Sequence, residues 1–215
     1  MRAIDRLSTA TTRLKTSSSV LDAARRAANT AREAFEEVRV KRAELFSKAF
    51  SHISDQIGDI YKALTESTNA PFGGKAYLTS NGADEETPFL GGLNFHAMPP
   101  MKRFRDMDAL SGGEKTIAAL ALLFAVHSFA PSPFFVLDEV DAALDNANVA
   151  KVAKYIREHA EPGTQFIVIS LKTGLFQESE CLIGVLRDQS ANTSRAITLD
   201  VSVLRPFAVF HFTES

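Results

Sequence analysis

The stretch LSGGEKTIAALALLFAVHSFAPSPFFVLDEVDAALD, residues 110–145, contains the strongest fold signal in the chain. Its apolar and polar runs, with those that follow, predict a helix at about 112–129, a strand at 134–137, a helix at 146–160 and a strand at 166–170. Strand–helix–strand alternation with apolar strands is typical of an α/β fold, so we expect a buried, mainly parallel sheet with flanking helices.

The opening string LSGGEKT predicts a helix start that faces a ligand. Ser111 and Glu114 have the spacing of a capping box, so Ser111 should cap the helix that follows. Gly112 and Gly113 let another molecule approach the backbone, and the free N–H groups of a helix start suit a phosphate. A plain helix cap is the alternative, and it would be favoured if only the Ser and Glu spacing were present.

The run FFVLDE delivers two carboxylates at the end of an apolar strand, the edge where parallel sheets bind ligands. Phosphoryl transfer to water needs a carboxylate that holds Mg²⁺, here Asp138, and a group that orients the attacking water, here Glu139. An apolar strand that ends in Asp-Glu is common by itself. Its place one helix after LSGGEKT strengthens the catalytic interpretation. The next acids, Asp141 and Asp145, are four positions apart, and a solvated loop followed by the N-cap of the next helix would account for them.

These elements, in this order, resemble the ATPase heads of the SMC family, which are relatives of the ABC ATPases. The longer stretch HAMPPMKRFRDMDALSGGEKTIAALALLFAVHSFAPSPFFVLDEVDAALD, followed by QFIVISLK, is similar to the cohesin branch of that family. The resemblance covers about residues 1–200. It implies the C-terminal lobe of an ABC-type ATPase head, in which two heads sandwich two ATP molecules.

The resemblance also assigns roles to residues. Ser111, Gly112 and Gly113 would contact the γ-phosphate of ATP bound on the opposite head. Asp138 and Glu139 would serve the ATP and Mg²⁺ of this head. The remaining implied positions are Leu110, Glu114 and Lys115 of the signature string and Asp145, a D-loop residue that would reach across the shared interface.

Two departures from a complete ATPase are visible. No G-x-x-x-x-G-K-[ST] loop is present, and Gly73-Gly74-Lys75 lacks the following hydroxyl, so we interpret it as a turn that opens a strand. The phosphate-binding residues should therefore lie outside this chain, which would be an ATPase incomplete by itself. The resemblance implies that they sit in an N-terminal head segment and that residues 1–215 are a C-terminal fragment. Leu171 occupies the place of the switch histidine of many ABC-type ATPases and cannot donate a hydrogen bond.

The first 65 residues are rich in helix-forming residues and lack proline. A seven-residue apolar spacing marks a coiled-coil seam, and here it consists of Leu7, Leu14, Leu21, Ala28 and Phe35. We expect a coiled-coil arm over 1–65; the alternative is an amphipathic helix that lies on its own domain. The lobe should cover 66–201, with further strands at 75–79, 93–98, 182–187 and 195–201. The tail 202–215 fits either disorder or an extra strand.

Composition gives weaker constraints. The net charge is -2 and there is one cysteine, which favours a reducing compartment such as the cytosol or nucleus. The sequence contains no run of about 18 apolar residues, so it predicts no membrane-spanning helix. Lys102, Arg103 and Arg105 form a basic cluster that is either a solvated loop or a contact to the phosphate backbone of DNA.

The function expected from these features is the C-terminal half of the ATPase head of a cohesin SMC subunit, on chromosomes in the nucleus. The resemblance implies ATP and Mg²⁺ as cofactors. It implies as partners the N-terminal head segment, a second SMC head, the C-terminal winged-helix domain of a kleisin, and DNA. A DNA-repair SMC-like ATPase and a non-catalytic interaction module are the alternatives. We place the kleisin surface at the final strands, around Leu182–Arg187 and Ile197–Val201.

Overall fold

The computed structural model describes residues 2–81, 87–102, 107–160 and 163–201. The chain divides into two units, one formed by Met1–Phe50 with Ser80–Leu93 and the other by Ser51–Thr79 with Asn94–Ser215. The helices are α1 (Arg2–Thr65), α2 (Gly112–Phe129), α3 (Asn146–His159) and α4 (Thr173–Phe176), with 3₁₀ turns at Pro88–Leu90 and Met107–Ala109. The strands are β1 (Lys75–Ser80), β2 (Leu93–Met98), β3 (Phe134–Asp138), β4 (Gln165–Ile169), β5 (Cys181–Asp188) and β6 (Thr193–Asp200).

Helix α1 is one uninterrupted helix of 64 residues, and its predicted end near Thr65 is confirmed. All of its buried residues lie in the last turns, from Ile57 onward. The seam residues Leu7, Leu14 and Phe35 are each about 70% exposed, at 69%, 71% and 69%. The described residues of the first unit therefore leave the apolar seam of α1 uncovered, and its pairing as a coiled coil stays a prediction.

The sheet organisation differs from the prediction of one mainly parallel sheet. The described strands form three two-stranded sheets, β1–β2, β3–β4 and β5–β6. Only β3–β4 has a parallel register in the pairs whose direction is defined, because β5 and β6 form an antiparallel hairpin. The fold is thus mixed helix and sheet, and the expected parallel lobe is limited to one strand pair.

The β3–β4 pair is buried on one face only, which also differs from the expectation of fully buried strands. Leu137 lies in the core at 1% exposure, whereas its neighbour Val136 is 52% exposed. Ile167, the register partner of Val136, is 42% exposed on β4. The strands are apolar on both faces, but within the described residues a helical layer covers only one of them.

The core of the second unit forms where α2 and α3 pack on the buried face of β3–β4. Helix α2 buries one face, which includes Ile117, Leu120 and Phe124, while Leu123 and Val126 on its other side are 42% and 46% exposed. Apolar residues on both sides explain why its sequence shows no single apolar stripe. Phe124 lies at the centre, with ring centroids 4.8 Å from Tyr155 and 6.0 Å from Phe135. The last turns of α1 join the same core through Ile57, Tyr61 and Leu64. This core fixes the start of α2 and the end of β3 within one packed unit.

Candidate functional site

The start of α2 has the predicted capping box. The side chain of Ser111 accepts a hydrogen bond from the backbone N–H of Glu114 at 3.4 Å. In return, the Glu114 carboxylate accepts from the backbone N–H of Ser111 at 2.9 Å. Ser111 is extended at φ -66° and ψ 161°, as an N-cap residue should be. The cap interpretation from sequence is therefore confirmed, while the ATP contact of Ser111 stays a prediction.

The Glu114 side chain has a second partner, Lys102, which the sequence analysis considered only as a solvated residue or a DNA contact. The Lys102 ammonium lies 2.5 Å from the Glu114 carboxylate. Partial burial raises the pKa of Glu114, but the hydrogen bonds from Lys102 and from Ser111 outweigh burial and hold that pKa below its usual value. Lys102 thus stabilises the start of α2. Its contact to DNA stays a prediction, and Arg103 and Arg105 lie outside the described residues.

The two glycines of the signature string differ in their surroundings. A β-carbon added at Gly113 would lie 2.9 Å from the carbonyl oxygen of Ala143, which is closer than real β-carbons approach. A β-carbon added at Gly112 would lie 3.9 Å from the Ala143 β-carbon, an ordinary contact. Gly113 is therefore required by contact with this chain's own loop, and Gly112 is free of that constraint.

The other signature positions divide between core and surface. Leu110 is buried at 6% exposure, so its side chain packs in the core and its role in ligand binding can only be indirect. Lys115 is exposed, and its backbone N–H donates to the Ser111 carbonyl at 2.9 Å.

Asp138 and Glu139 stand at the end of β3, as predicted. Both are exposed, and in the described part of the chain neither carboxylate has a side-chain hydrogen bond or ion pair. Glu139 adopts a left-handed conformation at φ 49°, which is uncommon for a residue with a β-carbon. Its N–H donates to the Ile169 carbonyl at 2.9 Å, so β4 holds this conformation in place. Strained backbone of this kind clusters at functional sites.

The carboxylate of Asp138 fits a magnesium ligand. Mg²⁺ binds proteins through one or two carboxylates and keeps several waters and phosphate oxygens as its other ligands. The described residues contain no group of three or more acidic, His or Cys side chains that could enclose a metal. A single exposed carboxylate next to a second one therefore suits a Mg²⁺ ion that arrives with a nucleotide.

The loop between Glu139 and α3 is tied down by residues that the sequence analysis did not single out. The Ser170 hydroxyl donates to the Asp141 carboxylate at 2.6 Å, and Asp141 is 3% exposed. The backbone N–H of Lys172 donates to the Ser170 hydroxyl at 2.9 Å, and its ammonium donates to the Leu144 carbonyl. A polar Ser-x-Lys directly after an apolar strand was the available signal. The partner carbonyl could not be read from the sequence.

Asp145 caps α3. Its side chain accepts from the backbone N–H of Asn148 at 2.8 Å. The cap interpretation is thus confirmed, and a reach across an interface between heads stays a prediction. Leu171 is 89% exposed between Ser170 and Lys172, so its side chain has little contact with this chain.

The Gly73-Gly74-Lys75 run is the turn that the sequence predicted. Gly73 has φ 60°, and β1 begins at Lys75. The N–H of Gly74 donates to the Thr65 hydroxyl at 2.7 Å, which joins the turn to the end of α1.

No helix in the described chain has the length and apolarity of a membrane span.

Comparisons with known proteins agree on one family. The model described as "RecF/RecN/SMC N terminal domain" matches residues 6–194. The chain is 61% identical over 201 residues to the structural maintenance of chromosomes protein 1 of Schizosaccharomyces pombe, an alignment covering 94% of this chain and 16% of that protein. The chain therefore spans a small part of the length of its curated relative.

Solved structures give the same result at the level of the fold. A structure described as "Structural biochemistry of ATP-driven dimerization and DNA stimulated activation of SMC ATPases" is 34% identical with a TM-score of 0.64, covering 76% of this chain and 93% of the other. A structure described as the SmcHead bound to the C-winged helix domain of ScpA is 37% identical with a TM-score of 0.65, covering 75% and 46%.

Proposed function

The chain belongs to the structural maintenance of chromosomes (SMC) family, and on this premise we propose that it forms the C-terminal half of the ATPase head of a cohesin SMC subunit. In this proposal two engaged heads bind and hydrolyse ATP at their interface to organise chromosomes in the nucleus. The identity to an SMC1 protein along 94% of the chain favours this assignment over a DNA-repair SMC-like ATPase.

One observation carries the proposal. The loop that leaves the Asp138–Glu139 pair passes directly against the start of α2, where the Ala143 carbonyl faces Gly113. The candidate hydrolytic carboxylates and the signature string are therefore held at fixed positions in one packed unit. An ATPase that sandwiches nucleotide between heads needs both groups on each head, one for its own ATP and one for its partner's.

Each residue has a definite task in this proposal. Asp138 would hold Mg²⁺ for the ATP of its own head, and the ion would supply positive charge against the phosphates. Glu139 accepts a proton from the attacking water or orients it, since its carboxylate is exposed and free of internal partners among the described residues. Ser111, Gly112 and Gly113 present a helix start to the γ-phosphate of ATP on the opposite head. The solved SMC structure whose description refers to ATP-driven dimerization supports an engaged state of two heads.

The uncovered face of β3–β4 is evidence for a second segment of the head that packs on it. Phe134, Val136 and Ile169 are 58%, 52% and 51% exposed on that face. An apolar sheet face of this kind needs a covering layer to remove it from water. We place there the N-terminal head segment, which would bring the phosphate-binding loop that this chain lacks.

The β5–β6 hairpin supports a kleisin surface. Ile183 and Val185 are 67% and 75% exposed on one face of the hairpin, and Ile197 is 60% exposed on the other face. The hairpin ends at Asp200. Exposed apolar strands are suited to a partner that packs on or extends the sheet. The SmcHead structure bound to a C-winged helix domain of ScpA supports a winged-helix partner for such a head. DNA would contact the assembled complex, with Lys102 as a candidate in this chain.

The test is ATP hydrolysis by this chain alone and by its mixture with the N-terminal head segment, the partner SMC head and the kleisin winged-helix domain. We expect turnover only in the mixture, and loss of turnover with intact head engagement for Glu139→Gln. Glu158→Gln is the matched control, because Glu158 lies on the exposed side of α3 in a 3.7 Å ion pair with Lys154. Rapid turnover by the isolated chain, or normal turnover by Glu139→Gln, would refute the proposal.

A further inference from the structure

Three residues at the end of β4 and directly after it, Ile169, Ser170 and Lys172, hold three points of the loop that leaves the catalytic pair. Resting on the proposed function, we propose that Ser170 and Lys172 are positioning residues that lock the 139–144 loop. The lock keeps Glu139 and the signature glycine Gly113 in fixed register, so that hydrolysis of this head's ATP is coupled to contact with the partner's ATP.

The first anchor lies at Glu139 itself. Its N–H donates to the Ile169 carbonyl, immediately before Ser170, and its carbonyl accepts from the N–H of Ala142 at 3.2 Å. A residue with a β-carbon at φ 49° keeps that conformation only where its surroundings hold it. The direction in which the Glu139 carboxylate leaves the backbone therefore depends on the segment that follows β4.

The second anchor is a buried carboxylate. Asp141 is removed from water, and the Ser170 hydroxyl is its side-chain donor among the described residues. The same hydroxyl accepts from the N–H of Lys172, so one oxygen fixes both segments. Removing a donor from a buried carboxylate leaves an unpaired group in a poorly solvated place, which is costly.

The third anchor lies at the far end of the loop. The Lys172 ammonium donates to the Leu144 carbonyl, and the N–H of Leu144 donates back to the Asp141 carbonyl at 3.0 Å. A backbone carbonyl that accepts from an ammonium makes a charge-assisted hydrogen bond, which is stronger than a neutral one. Lys172 is half-buried, whereas its neighbour Leu171 is exposed.

The loop transmits these restraints to the signature string. Ala143 lies between the anchored residues Asp141 and Leu144, and its carbonyl sits against Gly113 without room for a β-carbon. A shift of the loop by a fraction of an ångström must therefore move the start of α2 or open a gap beside it. Since Glu139 acts on this head's ATP and Gly113 on the partner's, the lock connects the two sites.

The experiment uses the full-length protein that contains this chain, assembled with its partner SMC protein and kleisin. Lys172→Met keeps the apolar stem and removes the donor, and Ser170→Ala removes the hydroxyl. We expect ATP turnover per engaged head pair to fall about tenfold in each, the factor for about 1.4 kcal/mol, with ATP affinity changed by less than about twofold. Lys172→Arg and Ser170→Thr, which keep a donor, should recover most of the rate.

Lys154→Met is the matched control, because the Lys154 side chain is 75% exposed and pairs only with Glu158 at 3.7 Å among the described contacts. Normal turnover per engaged pair in Lys172→Met and Ser170→Ala, even with a lowered melting temperature, would overturn the lock. An equal loss of turnover in Lys154→Met would also overturn the lock.

A separate measurement keeps this inference distinct from the proposed function. Hydrogen exchange at the amides of Ala142 and Leu144 reports the loop directly, whether or not the wild-type complex hydrolyses ATP. We expect faster exchange in Lys172→Met than in Lys154→Met, and equal exchange would refute the lock. If the wild-type complex does not hydrolyse ATP while the exchange difference is present, the proposed function fails and the lock of the loop stands.

Discussion

Gly113→Ala should destabilise the second unit, while Gly112→Ala, one residue earlier, should not. The added β-carbon at Gly113 would lie 2.9 Å from the Ala143 carbonyl oxygen and 4.0 Å from the Leu144 side chain. The nearest obstacle is backbone, which cannot turn away as the end of a flexible side chain could. At Gly112 the nearest atom is 3.9 Å away, and an alanine fits there.

The magnitude follows from two opposing effects. Overpacking a well-packed site costs about 1–3 kcal/mol, whereas replacing Gly by Ala within a helix stabilises by up to about 1 kcal/mol. The second effect is similar for two adjacent positions in the first turn of α2, so it largely cancels in the comparison. Gly113→Ala should therefore be less stable than Gly112→Ala by about 1–3 kcal/mol.

Tyrosine fluorescence during urea unfolding measures this difference in the second unit alone. The chain has no tryptophan, and its three tyrosines, Tyr61, Tyr77 and Tyr155, all lie in that unit. Because α1 extends through the first unit with its apolar seam exposed, helical circular dichroism would mix the two units. Equal unfolding free energies for the two variants, or a more stable Gly113→Ala, would refute the contact between the signature string and the 139–144 loop.

Two further predictions concern stability. Because the folded-state pKa of Glu114 is below its ordinary value of 4.5, its ionised form stabilises the fold above that pH, and this contribution should be lost as the pH falls through the lowered pKa. Urea unfolding of Glu114→Gln at several pH values should show a weaker dependence on acid than the wild type, and an unchanged dependence would contradict the assignment. On β3, Leu137→Ala should cost about 2–5 kcal/mol because the side chain is buried. Val136→Ala should cost less than about 1 kcal/mol, since Val136 is half-exposed, and similar losses for the two would contradict the one-sided burial of the strand.

The local elements were predictable because their causes are local. The capping box at Ser111, the turn at Gly73 and the extent of α2 follow from residues within a few positions of one another. The apolar run before Asp138 likewise placed a strand that ends in two carboxylates. Propensity, capping and turn chemistry act over such distances, so the sequence contains enough information for them.

The pairing of strands was the main failure. The expectation of a mainly parallel sheet came from strand–helix–strand alternation, which holds for β3, α3 and β4 and not for the other described strands. The continuous apolar run of β3 was also compatible with burial of both faces of the strand. Which face is covered depends on distant segments, and this chain's described residues cover one.

By itself the sequence determined the motifs, their order and the family, since these depend on residue identity and short spacing. The tertiary structure alone decided which polar groups meet. Lys102 joins Glu114 at the start of α2, and Ser170 and Lys172 hold a loop almost thirty positions earlier in the chain, at Asp141 and Leu144. Such contacts arise from the packing of α2 and α3 on β3–β4, and no local pattern of residues specifies them. The close approach of Ala143 to Gly113 has the same origin, because backbone-to-backbone distances between separate elements are set only when the core is packed.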